Sequence, residues 1–239
     1  MSQKHVIGII GAMEIEVTEL VHSMDPVHEQ KKHGLTFYVG TLASQQAIVV
    51  KCGIGKVNAA RTAQILIDEF AVTAIINTGI AGGLSPLLRV GDAVVATALV
   101  EHDFDLSIFG YARGNLQIGA KDQPTQFPAD VPLSSTITDA AIRILGKEHV
   151  HRGIIATGDQ FIAGQERKKA LLHEFRATAA EMEGGAIAHT AFLSGIPFCV
   201  VRAISDLADG TAAASYDAFE AAAAHASATI VKRTLHTLS

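Results

Sequence analysis

The chain reads as an α/β protein of three layers, with helices on both faces of a central sheet. Three observations predict this. Short apolar runs alternate with stretches of helical spacing along the whole sequence. Residues 197–204 are apolar apart from Arg202, as in a central strand covered on both faces. Glycine-rich and acidic motifs fall where apolar runs stop, and open α/β sheets bind ligands beyond the carboxyl ends of their strands.

Taken in order, residues 6–10 form a short apolar run ending at Gly11, a buried strand. Residues 13–24 have helical spacing, with Val17, Leu20 and Val21 on one face. Residues 35–42 and 46–52 flank Ala43-Ser44-Gln45 and read as a hairpin. The next helix covers 56–70, with Ala60, Ala63, Leu66 and Ile67 on a shared face. A strand at 73–77 is closed by the glycine-rich Thr78-Gly79-Ile80-Ala81-Gly82-Gly83, and another spans 90–100 around Gly91-Asp92. Residues 102–132 lack periodicity, which fits a functional or interface loop. Then follow a helix at 134–145, a strand at 152–157, helices at 166–174 and 184–193, the strand at 197–204, and a closing helix at 212–235. No break in composition, repeat or low-complexity tract divides the chain, so one domain over 1–239 is expected.

Hydrophobic residues make up 49% of the chain, enough for a large core. Nineteen basic against 24 acidic residues give a net charge of -5, with no basic run, which argues against nucleic acid as a partner. Cys52 and Cys199 lie in apolar surroundings and read as reduced core thiols, fitting a cytoplasmic protein. The segment Met1-Ser2-Gln3-Lys4-His5 runs into the first strand without a leader-like apolar stretch, and no run approaches the ~18 residues of a membrane helix. A membrane partner is not expected.

The motifs exclude several chemistries. Gly8-Ile9-Ile10-Gly11 is not a dinucleotide fingerprint. Gly53-Ile54-Gly55-Lys56 is not a phosphate-binding loop, because Val50 and Val57 stand where Gly and Ser or Thr are required. Neither Gly-x-Ser-x-Gly nor His-Glu-x-x-His occurs, and the histidines are scattered, so neither a metal nor another cofactor is expected. What remains is carboxylates at strand ends: Glu14 and Glu16 after the first strand, Glu181-Met182-Glu183, and Ser205-Asp206. Each alone has a plain reading, as a helix-dipole partner or a turn residue. Together they can protonate a leaving group, activate water and hold a sugar, which suits cleavage of a glycosidic bond to a purine.

The motifs resemble one family. Gly-Ala-Met-Glu-x-Glu-Val (11–17), Cys-Gly-Ile-Gly-Lys-Val (52–57), Asn-Thr-Gly-x-Ala-Gly-Gly-Leu (77–84), Gly-Asp-x-Phe-Ile (158–162), Glu-Met-Glu (181–183) and Arg-Ala-Ile-Ser-Asp (202–206) are similar to those of 5′-methylthioadenosine/S-adenosylhomocysteine nucleosidases, in the same order and over nearly the whole chain. The resemblance implies a nucleoside-phosphorylase-like fold with a twisted, mixed central sheet. It implies that Glu16 activates water, Asp206 protonates adenine N7, and Glu183 grips the ribose hydroxyls with Met182 against the sugar. Phe161 would stack on adenine, and the backbone of Ile162 would read its edge. Ala81 and Gly82 would line the base and sugar site, and Arg202 would support the acidic cluster. Met13, Ile54 and Tyr216 would lie along the ribose and the 5′-thio group. The partners implied are small adenine nucleoside thioethers and a second copy of the chain, a homodimer in which Leu106 and Phe109 reach the neighbour's site.

Tyr216 stands where the family carries Phe, which implies a slightly more polar pocket. Ala163 replaces a familiar Asn, and Gly184 an Ala. The related phosphorylases carry arginines at the strand end that here reads Asn77-Thr78-Gly79 and after the first glycine loop, where this chain has Glu14 and Glu16. Carboxylates there repel phosphate and suit water. A phosphorylase and a non-catalytic adenosine sensor remain the two alternatives.

Overall fold

A computed structural model describes residues 5–209 and 211–238; Met1 to Lys4 of the N-terminal segment lie outside the described residues. The strands are β1 (Val6–Gly11), β2 (Val27–Lys32), β3 (Leu35–Leu42), β4 (Gln45–Lys51), β5 (Ala74–Gly83), β6 (Ala93–Glu101), β7 (Phe127–Pro128), β8 (Val150–Thr157), β9 (Ala177–Glu181) and β10 (Phe198–Asp206). The helices are α1 (Glu14–His22), α2 (Lys56–Phe70), α3 (Val131–Leu145), α4 (Gln165–Phe175), α5 (Gly184–Leu193) and α6 (Ala212–Thr237).

The sheet is mixed, as expected. Its strands run in the order β10-β6-β8-β9-β5-β1-β4-β3-β2, with β7 beside β6. A further pairing joins β10 to β5, so β5, β10, β6, β8 and β9 close upon one another. β1 lies parallel between β4 and β5, and β10 is parallel to β5. β9 is antiparallel to β5 and overlaps it only at Gly82↔Ala180 and Gly83↔Ala179. That short overlap brings the carboxyl ends of two opposed strands to one place. Helices α1 and α3 pack on α6, and α2 packs on α5.

Local sequence explains the elements. Every residue of β10 is buried, including Arg202 and Asp206, which is why its apolar run is so long. Leu66 of α2 sits 3.0 Å from where a Cβ at Gly8 would be, so a glycine in β1 lets this helix lie close on the sheet. Asp130 caps α3 by accepting the Leu133 N–H at 2.9 Å, with Pro132 in the first turn.

The structure differs from the sequence reading at four places. Val27–Lys32 is a strand that the reading lacked, because an edge strand with five exposed residues shows no apolar pattern. β9 was also unread: Ala-Thr-Ala-Ala-Glu has no strand-like bulk, yet it is mostly buried. The glycine-rich 78–83 is strand rather than loop, since β5 continues to Gly83 against β10. Gly91-Asp92 is a turn before β6, with Asp92 N–H donating to Arg89 O.

Both cysteines are free and buried, as expected. Burial pushes each thiol up to about 12. A thiol-specific chromogenic reagent at pH 8 is expected to leave both unreacted in the native protein and to count two in denaturant.

Candidate active site

Seven chain segments meet at one cavity of about 210 Å³. Its walls include Glu16 from α1, Ala81 and Gly82 from β5, Phe161 and Ile162 after β8, Glu181 to Glu183 at the β9–α5 junction, and Ser205 and Asp206 from β10. Met13, Ile54 and Tyr216 complete it. Ile54 and Phe161 are 55% and 47% exposed, so that part of the wall faces solvent.

Glu16 is placed by the turn after β1. Gly11 permits that turn, for a Cβ there would lie 2.7 Å from Val17. The Glu16 carboxylate accepts the Ala12 and Met13 N–H groups at 2.6 and 3.0 Å and the Ile80 N–H at 3.1 Å. Burial nevertheless raises its pKa, against the opposing pull of Arg202 and these amides. Glu183 stands at the N-terminal boundary of α5, and its carboxylate accepts the Gly55 N–H at 2.8 Å rather than a helix amide. Its pKa is pushed up to about 7, chiefly by burial, with Arg202 opposing and the nearby Glu181 adding. Asp206 accepts the Ala208 N–H at 2.8 Å and the Ser205 hydroxyl at 3.0 Å, and burial raises its pKa too.

Arg202 lies behind this wall and is not part of it. Its guanidinium donates to Glu181 and, at 2.6 Å, to Asn77 Oδ1; it also stands 3.6 Å from Glu183 and 4.0 Å from Glu16. Burial works against this charge, but the three carboxylates outweigh it and raise the Arg202 pKa. One cation stands against three carboxylates, and the cavity wall carries acidic side chains and no basic one. Such a site stabilises positive charge developing on a bound sugar.

Of the residues expected from the sequence, Glu16, Asp206, Glu183, Met182, Phe161, Ile162, Ala81, Gly82, Met13, Ile54 and Tyr216 all line the cavity. Arg202 stands behind it. Leu106 and Phe109 are not on its wall; Phe109 is 67% exposed. The Tyr216 hydroxyl donates toward Glu220 at 3.0 Å and the Met13 sulfur at 3.2 Å. Sequence reading assigned no role to Glu181. This carboxylate accepts from Arg202, from Thr157 Oγ1, and from the N–H groups of Glu183 and Gly184 at 3.1 and 2.7 Å. A signal existed, because Glu-Met-Glu at a strand end places its first and third side chains on one side.

The glycine motif of β5 makes room for charged side chains. A Cβ at Gly79 would come within 2.3 Å of Glu16 Oε1 and 2.4 Å of Arg202 Nη1, so the missing side chain leaves space for that pair. The missing side chain of Gly82 faces Asp206 Oδ1 at 3.0 Å.

Residues 6–236 match the family described as the phosphorylase superfamily. The chain is 40% identical to a 5′-methylthioadenosine/S-adenosylhomocysteine nucleosidase of Shewanella halifaxensis, covering 94% of this chain and 96% of that one. It superimposes on the structure of the S. pneumoniae nucleosidase with a transition-state inhibitor, with a TM-score of 0.90, 39% identity and coverage of 98% and 100%. A futalosine hydrolase of Helicobacter pylori fits with a TM-score of 0.89 at 35% identity, covering 98% of each chain. The chain belongs to the 5′-methylthioadenosine/S-adenosylhomocysteine nucleosidase family, whose members hydrolyse N-glycosidic bonds.

Two outcomes follow. Gly79→Ala should displace Glu16 or Arg202 and lower kcat by about 100-fold or more, measured by steady-state kinetics. A group whose folded-state pKa is raised binds its proton more tightly when folded. Its stabilisation is full below the unfolded value and is lost as pH rises through the folded one. For Glu183 that window runs from 4.5 to about 7. The Tm of the free protein should fall across it, and less steeply in Glu183→Gln, by scanning calorimetry.

Proposed function

We propose that the chain hydrolyses the N-glycosidic bond of 5′-methylthioadenosine and S-adenosylhomocysteine, releasing adenine and the 5′-thio-substituted ribose. One observation carries this reading. Glu16, Glu181, Glu183 and Asp206 line a single cavity, and among the described residues no lysine, arginine or histidine does. A phosphorylase needs cations or free amides to hold phosphate. Arg202, behind the wall, is already engaged by carboxylates and Asn77. Water is therefore the better nucleophile for this site.

The roles are those the family resemblance implies. Asp206, whose pKa burial raises, gives its proton to adenine N7 as the bond from C1′ to N9 breaks. Adenine leaves with the bonding pair. The ribose carries oxocarbenium-like positive charge, which the surrounding carboxylates stabilise. Glu16 takes a proton from water as its oxygen joins C1′. Glu183 accepts the ribose hydroxyls, and Met182 packs on the sugar. Phe161 and the backbone of Ile162 hold adenine over Ala81 and Gly82. No cofactor enters this scheme.

The 5′ substituent would lie along Met13, Ile54 and Tyr216. Apolar contacts discriminate by only ~1–3 kcal/mol, so substrates differing at the 5′ end should all be accepted. We read residues 1–239 as a single cytoplasmic domain working as a homodimer, with Leu106 and Phe109 covering the partner's cavity. Among the described residues no helix is long and apolar enough to cross a membrane.

Adenine release from methylthioadenosine should occur in phosphate-free buffer and yield free methylthioribose. Release only with phosphate would make the protein a phosphorylase. No release with any adenosine thioether would leave a sensor. Asp206→Asn should lower kcat by about 10²–10⁴-fold. In the wild type, kcat/KM should rise with pH as Glu16 ionises and fall as Asp206 loses its proton. Asp206→Asn should lack the falling limb; a profile unchanged from wild type would remove Asp206 from the acid's role.

A further inference from the structure

Outside the cavity, three polar side chains tie together the loops that form it. The Lys56 ammonium, at the start of α2, lies 2.7 Å from Asp103 Oδ1 and 3.1 Å from Glu101 Oε2. The other oxygen of Asp103 accepts the Asp159 N–H at 2.9 Å. The Asp159 carboxylate in turn accepts the Lys56 N–H at 2.8 Å. The circuit is closed: Lys56 to Asp103, Asp103 to Asp159, Asp159 back to Lys56. None of the three lines the cavity.

Each end of this circuit sits beside a residue that does. Asp159 is two residues from Phe161 and three from Ile162. Lys56 follows Gly55, whose N–H is donated to Glu183. Gly55 has φ +96 and a Cβ there would stand 3.0 Å from Asp159 Oδ1, so the glycine lets the aspartate close over the helix start. The side chains of Lys56, Asp103 and Glu101 are only 19%, 15% and 9% exposed, so their attraction is less screened than a surface pair's.

We propose that Lys56, Asp103 and Asp159 form a clasp that positions the adenine-holding loop, 158–162, against the loop that fixes Glu183. They are positioning residues, acting through Phe161, Ile162 and Gly55. The kinetic part of this proposal rests on the nucleosidase reading above. The clasp itself does not, because its effect on loop order is independent of turnover.

The test uses the full chain. Asp103→Asn keeps the shape of the side chain and removes its charge. Amide hydrogen exchange at 158–162 and 53–55 should quicken by about tenfold or more in this variant, while the core strands exchange as before. KM for methylthioadenosine should rise roughly 10- to 100-fold, with kcat within about threefold of wild type. Lys56→Met should act alike, Lys56→Arg should recover most of the loss, and Asp103→Asn with Lys56→Met should be no worse than either alone. Unchanged exchange in the two loops would overturn the clasp, as would additive effects, or a loss confined to Tm and active fraction with KM unmoved. If Asp103→Asn does not fold, Asp159→Asn is measured by the same criteria. Wild-type protein that releases no adenine would defeat the nucleosidase reading alone, with the exchange data still deciding the clasp.

Discussion

The structure is organised around one buried guanidinium. Arg202 stands in the middle of β10, 1% exposed, and the surrounding chain is shaped to keep it there. A buried charge is tolerated only when it is paired and hydrogen-bonded. Its partners come from the whole length of the chain: Glu16 near the beginning, Asn77 in β5, Glu181 and Glu183 between β9 and α5. Asn77 donates onward to Ile10 O at 2.9 Å, which ties the guanidinium to β1 as well. Opposite Arg202 in the sheet register is Gly79, where any larger residue would intrude on both Arg202 and Glu16.

This arrangement accounts for the balance of charge at the cavity. The cation moderates the repulsion among the carboxylates without removing it, and burial keeps Glu16, Glu183 and Asp206 easier to protonate than they would be in water. The proposed reaction, which donates one proton and accepts another, needs groups in both states near neutral pH. The closed set of strands supplies the means. β9 meets β5 at Gly82 and Gly83, and β10 places Asp206 against Gly82, so Glu181 at the end of β9 and Asp206 reach the same cavity.

Much of this was legible in the sequence. The strand-ending motifs at Gly11, Gly79, Glu181 and Asp206 marked the cavity, and the carboxylates among them marked its chemistry. The illegible parts share a physical reason. β2 is an edge strand in water and β9 is built of small residues, so neither carries the apolar period on which sequence reading depends. The pairing of β10 with β5 is a long-range choice among strands that all look alike in composition. The work of Gly79 became visible only with three dimensions, because its neighbours, Glu16 and Arg202, are remote in sequence. Glu181 was hidden by its own motif, where Glu183 already accounted for a carboxylate.

The long reach of the Arg202 cluster also bears on how the protein is made. During synthesis the chain emerges from its N-terminus, and β1 and α1 can form while β10 is still absent. Glu16 then has its backbone amides but no guanidinium, and Asp206 has not yet been joined to the chain. No fragment ending before β10 can bring Glu16 and Asp206 together. On the proposed reading, glycosidic cleavage is thus withheld until β10, the last strand, is made and paired.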